Sequence, residues 1–576
     1  MLMKDKNSIR IIVGILLLHV TVFAQQYPTG VFQSPMDTPL FLSAPFGSLR
    51  DNHFHSGMDI RTYEKEGLPI YAIADGYVSR IKYSAVGYGK ALYIQHPNGY
   101  SSVYGHLQNA HGTIAAYIKK YQYEIEQFEF DHFPSADKLT VKKGDTIGWS
   151  GNSGGSTGPH LHFEIRDTKT EEIINPQLFG ILPVDSQPPT IRKLYTYIFE
   201  ESGSKQLKSY ALNVNNCLFT DSGTIFLDTV FIPLQCIGFG VEAFDYHVGR
   251  KNEYSIYGFD VSIDNKRYYQ FRLDRFVFAQ TRSINLHIDY ASYKKDGIRI
   301  QKLFTEDGNN ILLYPYLRNK GKYYSIDTLP HWVKIVAYDC MMKPYIVYAI
   351  IKPTSAIAII PSSAQSGVKC YPNKVTTFKN ECIKVTIPEN ALYDTLYVQY
   401  DQLSKAPNML SYTHKVHSPN TPLQKNIQLS FQCEETIKPE WYPKLLVAYS
   451  GKQNNWRSAG GEYENGYVVT KSNVFGYFAL TIDTTPPVIL PLFKANAFTA
   501  DSLTLSFKIT DDFSGILSYR MLINGKWVLA EYDAKNDLIH YVFDENTPNE
   551  KLTIELYVTD KKNNTAEYKI DYSRPK

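Results

Sequence analysis

Strand-like patterns of apolar and polar positions, broken by many turn glycines, recur along this chain and predict strands far more often than helices. Ile70-Tyr71-Ala72-Ile73-Ala74 leads through Asp75-Gly76 into Tyr77-Val78-Ser79. Ala91 to Gln95 and Tyr100 to Tyr104 flank the turn Pro97-Asn98-Gly99, a hairpin signature. The same period of two returns at Pro159 to Ile165, at Trp332 to Tyr338 and at Leu552 to Val558. One stretch departs from it. Ile114, Tyr117, Ile118, Tyr121, Ile125 and Phe128 follow helical spacing, so residues 113–130 are expected to form an amphipathic helix inserted between strands. It could cover core or wall a groove.

A length of 576 residues exceeds what one core organises, and the pattern divides the chain into several units. Asp185-Ser186-Gln187-Pro188-Pro189-Thr190-Ile191 matches Asp483-Thr484-Thr485-Pro486-Pro487-Val488-Ile489, and paired prolines with polar flanks make stiff linkers. The segments that follow also echo each other, as in Val261-Ser262-Ile263-Asp264-Asn265-Lys266 and Met521-Leu522-Ile523-Asn524-Gly525-Lys526. The expected organisation is a first domain at 35–184, a β-sandwich at 185–352, a β-rich domain of its own kind at 353–484, and a sandwich related to the second at 485–576. The fold class is mainly β: a small β-domain with a helical insert, then immunoglobulin-like sandwiches.

Composition sharpens this. Hydrophobic residues make up 43% and charged residues 20%, which is the balance of folded protein. Net charge is +3; Lys4, Lys6 and Arg10 less Asp5 supply +2 of it, and the remaining balance gives no sign of a nucleic-acid partner. Those early charges precede the apolar run Ile11 to Phe23 and then Val22-Phe23-Ala24, which reads as a secretory signal peptide over residues 1–24, too short for a bilayer anchor. An exported, periplasmic or extracellular protein with no stable membrane anchor follows. Export permits disulfides among Cys217, Cys236, Cys340, Cys370, Cys382 and Cys433, but free thiols fit equally.

Chemistry concentrates in the first domain. Eight of fifteen histidines fall between His53 and His162. His55-Ser56-Gly57-Met58-Asp59 and Gly158-Pro159-His160-Leu161-His162-Phe163-Glu164 pair imidazoles with carboxylate in a pattern that suits zinc. In a strand His160 and His162 project to one face while Leu161 faces the core. Gly57 argues against a helix for the first motif, so it is a loop entering a strand. Tyr104-Gly105-His106-Leu107 lies between the two. His53, His96, His111 and His132 lack motif partners and are expected at the surface. Glu164 could orient a histidine or be a plain solvated carboxylate. Tyr104 could assist His106 or be a core tyrosine. Ser153 to Gly158 lacks the lysine of a phosphate loop and is expected to be a turn bringing backbone close to the site.

Together these motifs resemble the lysostaphin-type, or LytM-type, zinc endopeptidases. The resemblance covers about residues 40–180 and includes Ala74-Asp75-Gly76-Tyr77-Val78, Gly87-Tyr88-Gly89 and Gly144-Asp145-Thr146-Ile147-Gly148. It implies a small antiparallel β-domain with one zinc in an open groove, cutting peptide bonds of bacterial peptidoglycan. By position it implies His55, Asp59 and His162 as zinc ligands and His106 and His160 as the catalytic pair. His160 is assigned the base and a protonated His106 the oxyanion partner, an assignment open to exchange. Two rivals are a non-catalytic wall-binding protein or hydrolase activator of the same fold, and a biotinyl or lipoyl carrier, which would need a modifiable lysine at its hairpin tip. The later β-domains could engage an envelope partner or fold back over the groove, and His414 and His417 do not form a second site.

Overall fold

The computed structural model describes residues 27–576 except 185–186, 200–204, 211–217, 220–223, 228, 247–253, 355–365, 453–454, 494–503, 549–550 and 573–576. The expected signal peptide and Cys217 lie outside the described residues.

The first domain is built on a ten-stranded sheet. Its central order is β1 (Leu42–Ala44), β2 (Met58–Arg61), β11 (His160–Asp167), β6 (Tyr100–Gly105), β5 (Ala91–Gln95), β4 (Gly76–Tyr83) and β8 (Phe130–His132). Every pairing along that path is antiparallel. A second sheet of β3 (Pro69–Tyr71), β10 (Thr146–Ser150) and β7 (Leu107–Ala110) packs beside it. Leu161, Phe163 and Ile165 alternate inward along β11 and are fully buried, which fixes the register: a one-residue slip would turn them out.

The helix is shorter than the periodicity predicts. It runs Gly112–Ile125, and Glu126 closes it in the left-handed conformation (φ 50°) with its N–H on the Gln122 carbonyl. Phe128 keeps its place in the core, but from a turn leading to β8 rather than from a helix. Ile114, Ile118 and Gln122 are the buried positions, so this helix covers core.

The apolar core of the first domain continues into the next β-unit. Strand β12 (Ile173–Ile174) pairs with Arg275–Phe276, and the Phe276 ring sits 5.0 Å from Phe46 and 5.8 Å from Phe54. That unit is less regular than a sandwich of antiparallel strands. Thr224–Phe226 and Val230–Pro233 pair parallel with Pro344–Thr354, and Phe278–Asp296 forms 3-10 and α turns. A separate core spans Cys370 to Leu480, and another joins Leu505 to Val558 between two four-stranded sheets. Both echoed hairpins turn through positive φ, at Asp264-Asn265 and Asn524-Gly525, where the primed turns of hairpins require it. Cys236, Cys340, Cys370, Cys382 and Cys433 carry free thiols. Among the described residues no helix is long and apolar enough to cross a membrane.

The last sandwich docks on the first domain. Lys90 Nζ meets both Glu531 oxygens at 2.8 Å, Lys119 pairs with Asp544 and Glu545, and the Tyr123 hydroxyl donates to Asp544 at 2.7 Å. Arg520 pairs with Glu126, and Lys535 donates to the Asn152 carbonyl.

Candidate metal centre and groove

The pairing of β2 with β11 assembles the centre. Asp59 stands opposite His162, and Arg61 opposite His160, while Ile60 and Leu161 form the intervening pair on the core side. Residues opposite each other in an antiparallel pair share a face. His55 joins from the loop before β2, where its N–H bonds to the Ser48 carbonyl. Gly57 lets that loop pass over β11, since a Cβ there would lie 2.5 Å from the Phe163 carbonyl oxygen and 2.9 Å from His162 Cε1.

Three donor atoms converge. His55 Nε2 is 3.0 Å and His162 Nδ1 2.9 Å from Asp59 Oδ1, and the two nitrogens are 3.2 Å apart. Tetrahedral zinc with ligands at about 2.0–2.1 Å needs donors about 3.3 Å apart, so the set fits. The remaining atom of each ligand is held. His55 Nδ1 donates to the Pro45 carbonyl at 3.0 Å, His162 Nε2 donates to Glu164 at 2.9 Å, and Asp59 Oδ2 accepts from Arg50 at 3.1 Å. These contacts fix the ring atom each histidine offers, as outer partners of zinc ligands do. Burial pushes the Asp59 carboxyl up, but the imidazoles of His55, His160 and His162 outweigh it and hold it well below its ordinary value. Burial works against a charge on His162 too; its hydrogen bonds to Asp59 and Glu164 prevail and raise it to about 9.

Glu164 is not a solvated carboxylate. It is wholly buried between His162 and Arg166, with the Tyr88 hydroxyl donating to it. Burial would raise its pKa, but Arg166 and His162 hold it far below the usual carboxylate range. Tyr88 also stacks on His162, with rings 4.8 Å apart. Sequence reasoning missed Arg50 and Arg166; the latter extends the His160, His162, Glu164 face by one more alternation.

His106 and His160 lie beside this set with rings 4.7 Å apart. His106 follows the end of β6 in the left-handed region (φ 58°), a turn that aims its ring away from the strand's own alternation. Its Nδ1 donates to the Ser153 carbonyl at 2.8 Å, leaving Nε2 as the acceptor. Burial lowers its pKa to about 3, with His162 and His160 adding to the effect. His160 Nδ1 donates to the Gly158 carbonyl at 2.8 Å and Nε2 lies 3.4 Å from Asp59 Oδ1.

Of the two roles expected for Tyr104 the core one holds: it is fully buried and its hydroxyl accepts from the Ile73 N–H at 3.1 Å. Other expectations change. His96 is buried, between the Asp75 carbonyl (2.9 Å) and the Ser102 hydroxyl (2.8 Å). His132 is half-buried against Tyr117, while His53 and His111 are exposed. His414 is buried, with Nδ1 at 2.7 Å from the Tyr400 hydroxyl. Among the described residues a further cluster, Asp483, Asp511 and Asp560, brings carboxylates together at the base of the last sandwich.

The fold and donor set thus define a β-domain with a groove able to hold a metal. Peptidase family M23 matches residues 53–123 and 129–176, and a Zu5-like domain matches residues 368–483. An uncharacterized metalloprotease of Haemophilus influenzae is 33% identical over 141 residues, 23% of this chain and 24% of that protein. The DD-carboxypeptidase/endopeptidase Mpg of Neisseria meningitidis is 33% identical over 130 residues, 22% of this chain and 24% of that protein. The peptidoglycan DD-endopeptidase ShyC of Vibrio cholerae is 35% identical over 98 residues, 17% of each. The catalytic domain of lysostaphin from Staphylococcus simulans aligns with 24% of this chain and 91% of its own at 23% identity and TM-score 0.18. The chain spans about a quarter of the length of the first two curated relatives. Its N-terminal region is an M23 peptidase domain of the LytM/lysostaphin type.

Proposed function

We propose that this chain is an exported zinc endopeptidase that hydrolyses peptide bonds of bacterial peptidoglycan, in stem peptides or cross-bridges. The observation that carries the reading is the buried His55, Asp59, His162 set with each outer atom satisfied, beside two further histidines. Three protein ligands suit a catalytic rather than a closed structural zinc. Zinc held there would supply Lewis acidity toward the scissile carbonyl and the attacking water.

The environment of the two histidines favours exchanging the roles first assigned. His106 is neutral at physiological pH and offers only the Nε2 lone pair, so it would take the proton of the attacking water. His160 has Nδ1 anchored on the Gly158 carbonyl and Nε2 on the metal side near Asp59, so it is the imidazole placed to face the oxyanion and the leaving amine. Relatives named for peptidoglycan and DD-peptide hydrolysis support the substrate class. We further propose the boundaries 35–184, 185–352, 353–484 and 485–576, an immunoglobulin-like character for the sandwiches, and an envelope partner for the β-domains.

The test is digestion of purified peptidoglycan with products weighed by mass spectrometry. New peptide fragments that vanish with a chelator and with His162→Ala are expected. A zinc-loaded protein that releases none would overturn the reading.

A further inference from the structure

Resting on the peptidase reading, we infer that Arg61 selects acidic peptides, binding a carboxylate carried next to the bond to be cut. A cavity of about 500 Å³ opens beside the metal centre, and Asp59 and His160 are part of its lining. It is therefore the space a substrate occupies when its scissile bond reaches those groups. Arg61 lines the same cavity.

Arg61 is placed there by the sheet. It follows Asp59 by two on β2 and stands opposite His160 on β11, so its side chain leaves the same face as the centre. Its Nε donates to the Leu42 carbonyl at 2.8 Å, which tethers the guanidinium to the neighbouring strand. That bond uses one of five N–H donors, and no ion pair forms at this residue among the described ones. The other basic lining residue, Arg50, is already committed to Asp59 at 3.1 Å. Glu64, exposed on the following turn, also lines the cavity. A planar, permanently charged fork held at one end matches a carboxylate in two-point geometry. A peptide residue beside the scissile bond would pair with this fork through a free carboxylate and lose that pairing as a carboxamide, which has no charge.

The experiment uses the full chain loaded with zinc and two cross-linked stem-peptide dimers that differ only in a free carboxylate or a carboxamide on the cross-linking residue. Cleavage rates are measured for both. Binding of both is measured with zinc-loaded His106→Ala, which holds substrate without turning it over. The expected result is a preference for the carboxylate form of about tenfold to a hundredfold, the range of a charge-assisted hydrogen-bonded contact. Arg61→Ala should bring the ratio to about one, and Arg61→Lys should keep part of it. A structural role for Arg61 would slow both substrates alike and leave the ratio unchanged, which would overturn the inference. Equal handling of both forms by the unaltered protein would do the same. If neither form is cut yet the carboxylate form binds better through Arg61, the selectivity stands and the peptidase reading falls. If neither is cut and binding is equal, both fall.

Discussion

Glu164 shows how much of this site rests on one side chain that touches neither substrate nor metal. It is a fully buried anion with His162 on one side and Arg166 on the other. Removing one member of such a set leaves another charge uncompensated, at a cost of about 3–5 kcal/mol. Glu164→Gln keeps the shape and removes the charge. It should weaken zinc binding by about tenfold to a hundredfold, because His162 loses the group that orients its ring and raises its basicity. Competition against a chromogenic chelator checks this, and unchanged affinity would assign Glu164 to packing alone. The alternation of His160, His162 and Glu164 was readable from sequence because strand period is local. The burial of Glu164 was not, because it depends on Tyr88 and Arg166 closing over it. His106 is a similar case. Its motif was legible, but the left-handed turn that sets its direction arises where β6 ends and β7 begins.

At the scale of elements, the β2–β11 pair is the frame of the site, and Gly57 is its tightest point. An added Cβ would meet backbone as well as His162, neither of which can swing aside cheaply. Gly57→Ala should destabilise the domain by about 1–3 kcal/mol through overpacking and lower its zinc content as β2 is forced off β11. Thermal melting together with metal analysis of the purified variant reads both effects; a fully loaded variant with an unshifted midpoint would show that the loop has slack. Strand positions were legible where the alternating pattern reflects one-sided burial, as Leu552–Asp560 illustrates. The helix end was not. Periodicity ran on to Phe128 because that residue is apolar and buried, yet the chain has already turned at Glu126. The parallel pairings and helical turns of residues 224–354 left no comparable trace, since they are set by contacts distant in sequence.

For the whole molecule, the last sandwich and the peptidase domain meet through charges. Lys90 is buried, and Glu531 is its partner from the other domain. Burial pushes the Glu531 carboxyl up, but Lys90 and His540 outweigh it and bring it to about 2. With the pKa lowered on folding, the stabilisation is present above the ordinary value near 4.5 and is lost as pH falls from there toward 2. Glu531→Gln should therefore destabilise the protein at pH 7 by about 1–3 kcal/mol, read as a lower melting temperature, with a smaller effect at pH 4. Equal shifts at both pH values would mean the charge is not what holds the domains together. The contact bears on the site because Lys535 holds the carbonyl of Asn152, next to the Ser153 carbonyl that fixes His106. Sequence left open whether the later domains fold back, because complementary charges hundreds of residues apart carry no pattern.

The central claim is that His55, Asp59 and His162 hold one zinc on which peptide hydrolysis depends. Titrating zinc into the metal-free full chain while following hydrolysis of a cross-linked stem-peptide dimer tests it most directly. Activity should rise linearly and break at one equivalent, and His162→Ala should show neither the break nor the activity. Full hydrolysis without metal, or an unchanged break at one equivalent in His162→Ala, would contradict the account.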